Sequence, residues 1–199
     1  MKNILIVPRV TKKYNEYYLS VDKNWLFFLK KIYKKFNLEI APSLNRKPNL
    51  IILSGGNEII KKKSKSTDIY RNELNKKFLK YAIKNKIKVI GICLGAQFIA
   101  SKFSSKIIKN KGHVGNHKIF YDKKLIKKKF PIVDKVNSFH DYSIFKLGKS
   151  LIPLGKAEDK TVEIFIHKKL KLLGIMWHPE RFKILRKLDQ KIFTKNLWN

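Results

Sequence analysis

Short apolar runs alternate with amphipathic stretches through the first half of the chain. Ile4 to Val7, Leu38 to Ile40, Leu50 to Leu53 and Lys88 to Ile92 are nearly continuous in Val, Ile and Leu, the pattern of strands covered on both faces in a parallel sheet. Between them, Asn24 to Phe36 and Tyr70 to Lys84 repeat apolar positions every three or four residues, as in Leu74, Phe78, Tyr81 and Ala82, which predicts helices with one buried face. Strand and helix in alternation predict an α/β fold with a doubly wound, mostly parallel sheet and helices on both faces, whose reactive groups gather at the carboxyl ends of the strands. The second half is less regular. His117 to Phe120, Pro131 to Asn137, Thr161 to His167 and Leu172 to Trp177 read as further strands, partly antiparallel, before a closing helix over Phe182 to Phe193. Neither a repeat nor a low-complexity linker interrupts residues 1–199, and a single domain is expected.

The composition sharpens this picture in two places. With 44% hydrophobic and 12% aromatic residues, the chain can bury enough apolar surface to offset its conformational entropy. The first residues, MKNILIVPRV, carry too short an apolar run for a signal peptide, and no stretch approaches the roughly 18 apolar residues of a membrane span. A single cysteine excludes an internal disulfide. A reducing cytoplasm is the expected compartment. The net charge of +32, from 46 Lys plus Arg against 14 Asp plus Glu, raises the question of nucleic acid. The basic residues are mostly Lys and are spread along the whole chain. Blocks such as Lys61-Lys62-Lys63 and Lys127-Lys128-Lys129 lack the Arg and interleaved aromatics of a base-reading surface. The charge therefore argues for solvated faces that attract small anions rather than for a nucleic-acid partner.

Candidate chemistry centres on the one cysteine. Lys88 to Ile92 form a strand, Cys93 occupies the turn, and Leu94 to Ser101 begin a helix, with Gly91 and Gly95 placed two residues to either side. This is the strand–nucleophile–helix pattern, in which small flanking residues permit a sharp turn. Amides and the positive dipole end at such a helix head stabilise a thiolate and an oxyanion beside it. The competing reading of a lone cysteine is a small buried hydrophobe. A nucleophile needs a base, and of the five histidines His178 stands out, because it follows the strand Leu172 to Trp177 and precedes Pro179-Glu180. Across that tripeptide the proline can turn the carboxylate onto the imidazole and fix its tautomer. Cys93, His178 and Glu180 form the candidate triad.

The segments G-I-C-L-G-A-Q at 91 to 97 and M-W-H-P-E at 176 to 180 together resemble class I glutamine amidotransferase domains over nearly the whole chain. The resemblance implies a flavodoxin-like fold, Cys93 as nucleophile, His178 as base and Glu180 as its orienting carboxylate. Leu53-Ser54-Gly55-Gly56 is similar to the family's glycine loop, which implies an oxyanion hole built from the Gly56 and Leu94 amides, with Gly55 beside the substrate. Asn137-Ser138-Phe139-His140 is similar to the N-S-x-H segment of the γ-glutamyl hydrolase branch, and His140 reads equally as a site residue or a surface-loop histidine. Asp68, Arg71 and Glu73 fall where that branch has an acidic–basic stretch, which makes Arg71 and Glu73 candidate substrate contacts. Gln97, one turn after the nucleophile, could hold the glutamyl α-groups.

His113 and His117 lie in a segment that could cover the pocket or meet the leaving group. A metal site there is the other option, weighed down by Gly115 between the two histidines and by the lack of a nearby third ligand in sequence. What the resemblance implies is hydrolysis of a γ-glutamyl amide through a thioester, with neither metal nor organic cofactor. Within the γ-glutamyl hydrolase branch the chain resembles γ-glutamyl-γ-aminobutyrate hydrolases and the compact γ-glutamyl-CDP-amidate hydrolases associated with bacterial surface-polysaccharide modification. The alternative is a glutaminase that passes ammonia to a separate synthetase partner.

Overall fold

A computed structural model describes residues 1–59, 64–110, 112–122 and 133–194. The lysine blocks at 61–63 and 127–129, and the first two residues of the strand expected from Pro131, lie outside them. Five strands form the parallel part of the sheet, in the order β4 (Phe36–Ile40), β1 (Lys2–Val7), β5 (Leu50–Leu53), β6 (Lys88–Ile92) and β13 (Leu172–Ile175). Beyond β13 the sheet continues antiparallel through β12 (Val162–His167), β11 (Leu151–Ala157), β8 (Val114–Tyr121) and β9 (Val133–Phe139), while β10 (Tyr142–Lys146) pairs with β12 and with β7 (Lys106–Lys109).

Strand alternation sorts the apolar runs into two cores. Ile4, Ile6, Leu50 and Ile52 face helices α1 (Asn24–Ile32) and α4 (Lys187–Thr194) through Trp25, Phe28, Ile192 and Phe193. Leu5, Val7, Ile51 and Leu53 face α2 (Ser66–Lys84) and α3 (Leu94–Lys102) through Leu74, Phe78, Phe98 and Ile99. The expected flavodoxin-like architecture is thus the observed one, with an antiparallel extension. No helix among the described residues is long and apolar enough to cross a membrane.

Strands β7, β10 and β11 are not anticipated by the sequence pattern, and three further features differ from it for identifiable reasons. The periodicity through Tyr33 and Phe36 extends the expected first helix to Phe36, but α1 stops at Ile32. Tyr33 turns extended (φ −120°, ψ 122°), and Phe36 opens β4 while packing on the same core. The closing helix begins only at Lys187; before it comes a 3-10 turn, Pro179–Arg181, with Phe182 and Leu185 packed on the core outside any helix. A hairpin of β2 (Arg9–Lys13) and β3 (Glu16–Ser20) leaves no mark in the apolar pattern, because only Val10 and Leu19 of it reach the core and most of its other residues are exposed. Its turn is Tyr14-Asn15, both at positive φ, the twist that suits a tight hairpin.

Candidate active site

β1 lies between β4 and β5, so the chain reverses direction across the sheet there, and side chains collect at the carboxyl ends of β1, β5, β6 and β13. Cys93 caps this end. Its backbone sits at φ 49°, ψ −105°, between β6 and the head of α3, and its amide donates to Ile175 O at 2.8 Å. A non-glycine residue in that region costs of order 1–3 kcal/mol and persists only where its surroundings impose it. Here the imposition is close packing: a Cβ on Gly95 would lie 2.0 Å from Leu53 O, so only glycine lets α3 start so near β5.

β13 runs parallel to β6, with Ile175 beside Ile92, which delivers His178 to the same edge. Asn137 on β9 grips the His178 backbone twice, its Oδ1 accepting from His178 N at 2.8 Å and its Nδ2 donating to His178 O at 2.9 Å. The 3-10 turn then folds Glu180 back, and Glu180 Oε1 meets His178 Nδ1 at 2.7 Å. Cys93 lies beside the same imidazole, close enough to act on its titration. Burial alone would lower the His178 pKa; the hydrogen bonds and charges of Cys93 and Glu180 outweigh it and raise the group to about 9. Gly55 lies against both partners, since a Cβ there would come within 2.5 Å of His178 Cε1 and 3.4 Å of Cys93 Cβ.

A cleft of about 330 Å3 opens over Cys93, lined by Gly56, Leu94, Gln97, His140, Tyr142 and His178 among others. Gly56 is at φ +83°, and Leu94 is the first residue of α3. Gln97 Nε2 donates to Tyr142 O at 2.8 Å. Two guanidinium-bearing residues, Arg9 from the hairpin and Arg181 from the 3-10 turn, line both this cleft and an adjoining hollow that reaches Trp25 and Glu180. Sequence reading misses both; His-Pro-Glu-Arg holds the one local signal, a cation following the carboxylate.

Other expected contacts fall elsewhere. Arg71 is fully buried and donates to Val7 O and Ser54 O, each at 2.7 Å. Burial, with Arg9 adding to it, pulls its pKa down to about 9. Asp68 Oδ1 accepts from Glu58 N and Asn57 Nδ2. These α2 side chains therefore hold the glycine loop from behind, and Arg71 cannot touch a substrate. Glu73 is exposed and pairs with Lys76 at 2.7 Å, outside the cleft. Ser138 is buried and donates to His113 O.

His113 and His117 do not cover the cleft: Val114 takes that place, and strand alternation turns His117 away from it. They meet Glu163 of β12 instead, a carboxylate too distant in sequence to be anticipated. Arg71→Met is expected to lower stability by about 2–4 kcal/mol, because two buried carbonyls lose a charged donor. Chemical denaturation checks this, and an unchanged midpoint would contradict the clamp.

A parallel α/β sheet that presents a cysteine elbow beside a His–Glu pair is the architecture of the amidotransferase-type enzymes. The chain belongs to the glutamine amidotransferase class-I family, whose profile matches residues 27–199. It is 41% identical over 135 residues to a γ-glutamyl-CDP-amidate hydrolase of Campylobacter jejuni, a match covering 66% of this chain and 62% of that protein. Among solved structures it resembles a Thermoplasma acidophilum protein assigned to GMP synthase, with a TM-score of 0.74, 20% identity, and coverage of 100% of this chain and 92% of that one. A glutamine amidotransferase of Thermotoga maritima matches with a TM-score of 0.66 and 20% identity, covering 96% of this chain and 81% of that one.

Proposed function

We infer that this protein hydrolyses a γ-glutamyl amide through a γ-glutamyl thioester on Cys93. The observation that carries the reading is the His178 Nδ1–Glu180 bond at 2.7 Å with Cys93 and His178 packed against the same face of Gly55, in a loop with a positive-φ glycine. In this mechanism the Cys93 thiol gives its proton to His178 as Sγ attacks the γ-carbonyl carbon, and the amides of Gly56 and Leu94 receive the developing oxyanion. As the C–N bond breaks, the His178 imidazolium hands its proton to the leaving nitrogen. His178 then takes a proton from water, which attacks the thioester and releases glutamate and the thiol. Glu180 and Asn137 hold the imidazole in register, and Gln97 and His140 contact the substrate from the cleft wall.

The leaving group we assign is a phosphoryl amide of the CDP-amidate type. The Campylobacter relative supports this, as do Arg9 and Arg181 beside the nucleophile, since guanidinium forks bind phosphate oxygens in pairs. The test is a panel of γ-glutamyl-CDP-amidate, γ-glutamyl alkylamides and free glutamine, followed by glutamate release. The phosphoryl amide is expected to react fastest, and Arg9→Gln to raise its KM about tenfold or more with little effect on glutamine. Turnover of glutamine alone, and only once a synthetase is added, would overturn the assignment in favour of an ammonia-supplying glutaminase.

A further inference from the structure

Behind the cleft wall, Glu163 is 1% exposed, and neither of its carboxylate oxygens hydrogen-bonds to a described residue. An isolated buried carboxylate is costly and calls for a counter-charge. Three imidazoles face it: His113 Nδ1 lies 3.3 Å from Oε1, His117 Nε2 lies 3.3 Å from Oε2, and His140 Nε2 lies 3.8 Å from Oε1. Those three nitrogens also make no hydrogen bond to described residues.

Two features separate this cluster from an ordinary ion pair. The first is spacing. Charged N–H···O bonds close to about 2.7–2.9 Å, as His178–Glu180 and His113–Asp159 do in this molecule at 2.7 and 2.8 Å. Ligands bound tetrahedrally at about 2.0–2.1 Å stand roughly 3.3–3.4 Å apart, the separation of His113 and of His117 from Glu163, with His140 farther out at 3.8 Å. The second is the tautomer of His113. Asp159 accepts from Thr161 N, Thr161 Oγ1 and Asn110 Nδ2, so it is an ionised acceptor and the proton of the His113–Asp159 bond sits on Nε2. A neutral His113 would then direct its Nδ1 lone pair at the lone pairs of Glu163, a repulsion that is relieved either by a metal cation between them or by a second proton on the ring. A carboxylate behind a ligating histidine is the usual outer support of such a site.

We propose that His113 Nδ1, His117 Nε2 and Glu163 bind a divalent transition-metal ion of the zinc type, with His140 as the fourth side chain and Asp159 orienting His113. The three principal ligand atoms lie within 4.8 Å of one another. They come from the segment before β8, from β8 itself and from β12, so the ion ties the wall carrying Val114, Phe139 and His140 to the centre of the sheet. Apart from His140, which also lines the cleft, the donor set has no role in the chemistry at Cys93, and the site at His113, His117 and Glu163 stands or falls independently of it.

The test is a titration of tag-free, chelator-treated Cys93→Ala protein, in which the thiol cannot compete, with Zn2+ against a chromophoric chelator and with Co2+ by visible absorption. One equivalent is expected to bind with tetrahedral Co2+ bands and to raise the melting temperature. Glu163→Gln and His117→Ala should each weaken binding by about 100-fold or more, and Asp159→Asn by about tenfold. His167→Ala, remote from the cluster, serves as the control. His117 is partly exposed, so its variant carries the test if Glu163→Gln fails to fold. Absence of stoichiometric binding, the outcome for a proton-bridged imidazole network, would overturn the proposal. So would equal affinity in the parent and His117→Ala proteins.

Discussion

Cys93→Ala is expected to abolish glutamate release from a γ-glutamyl amide, by roughly 10^4-fold or more, while leaving the fold intact. Removing a nucleophile that acts together with its base forfeits nearly the whole contribution of the unit. The substitution keeps the Cβ and the strained φ of 49° that the elbow already imposes, and it deletes one sulfur in a site open to the cleft. The stability change should therefore stay within about 1–2 kcal/mol. Steady-state rates and a thermal melt on the same preparation check both halves. Comparable rates for variant and parent would remove the thiol from the mechanism.

The second large effect concerns pH. His178 is raised to about 9 because Cys93 and Glu180 together overcome the penalty of burial. The imidazolium that must protonate the leaving nitrogen is therefore present throughout the neutral range, and kcat/KM is expected to fall above about pH 9 as it is lost. Glu180→Gln keeps the shape but removes the negative partner. The descending limb should move to lower pH, and the rate at neutral pH should drop by roughly 10^2–10^4-fold. The linkage to stability has the same sign. A folded pKa raised above the unfolded value near 6.5 gives stability that is complete below that value and disappears as pH rises through about 9. Profiles that superimpose for the parent and Glu180→Gln would show that the carboxylate does not support the base.

The parallel core is legible because its strands are covered on both faces and so read as unbroken apolar runs, and because the elbow glycines and the His-Pro-Glu tripeptide are local patterns. What escapes is either polar or distant in sequence. The Arg9–Ser20 hairpin touches the core only through Val10 and Leu19, so its strands lack the alternation that marks a half-buried pair. The resemblance implies a place at the substrate for Arg71, yet it lies wholly buried, since the carbonyls at the ends of β1 and β5 need a donor between them. Asn137 is expected at the substrate too, and instead holds the backbone of His178, a role visible only once the fold brings the end of β9 to the residue that follows Trp177. Glu163 cannot be joined to His113 and His117 from spacing, because the sheet brings β12 to them after a long excursion.

Catalysis as inferred here rests on a covalent bond between Cys93 and the glutamyl carbonyl, and peptide mapping of protein quenched in acid during turnover tests that bond most directly. A γ-glutamyl adduct on the peptide that contains Cys93, absent when substrate is omitted, is the predicted result. A Cys93 that remains unmodified while Cys93→Ala turns over at the parent rate would contradict it.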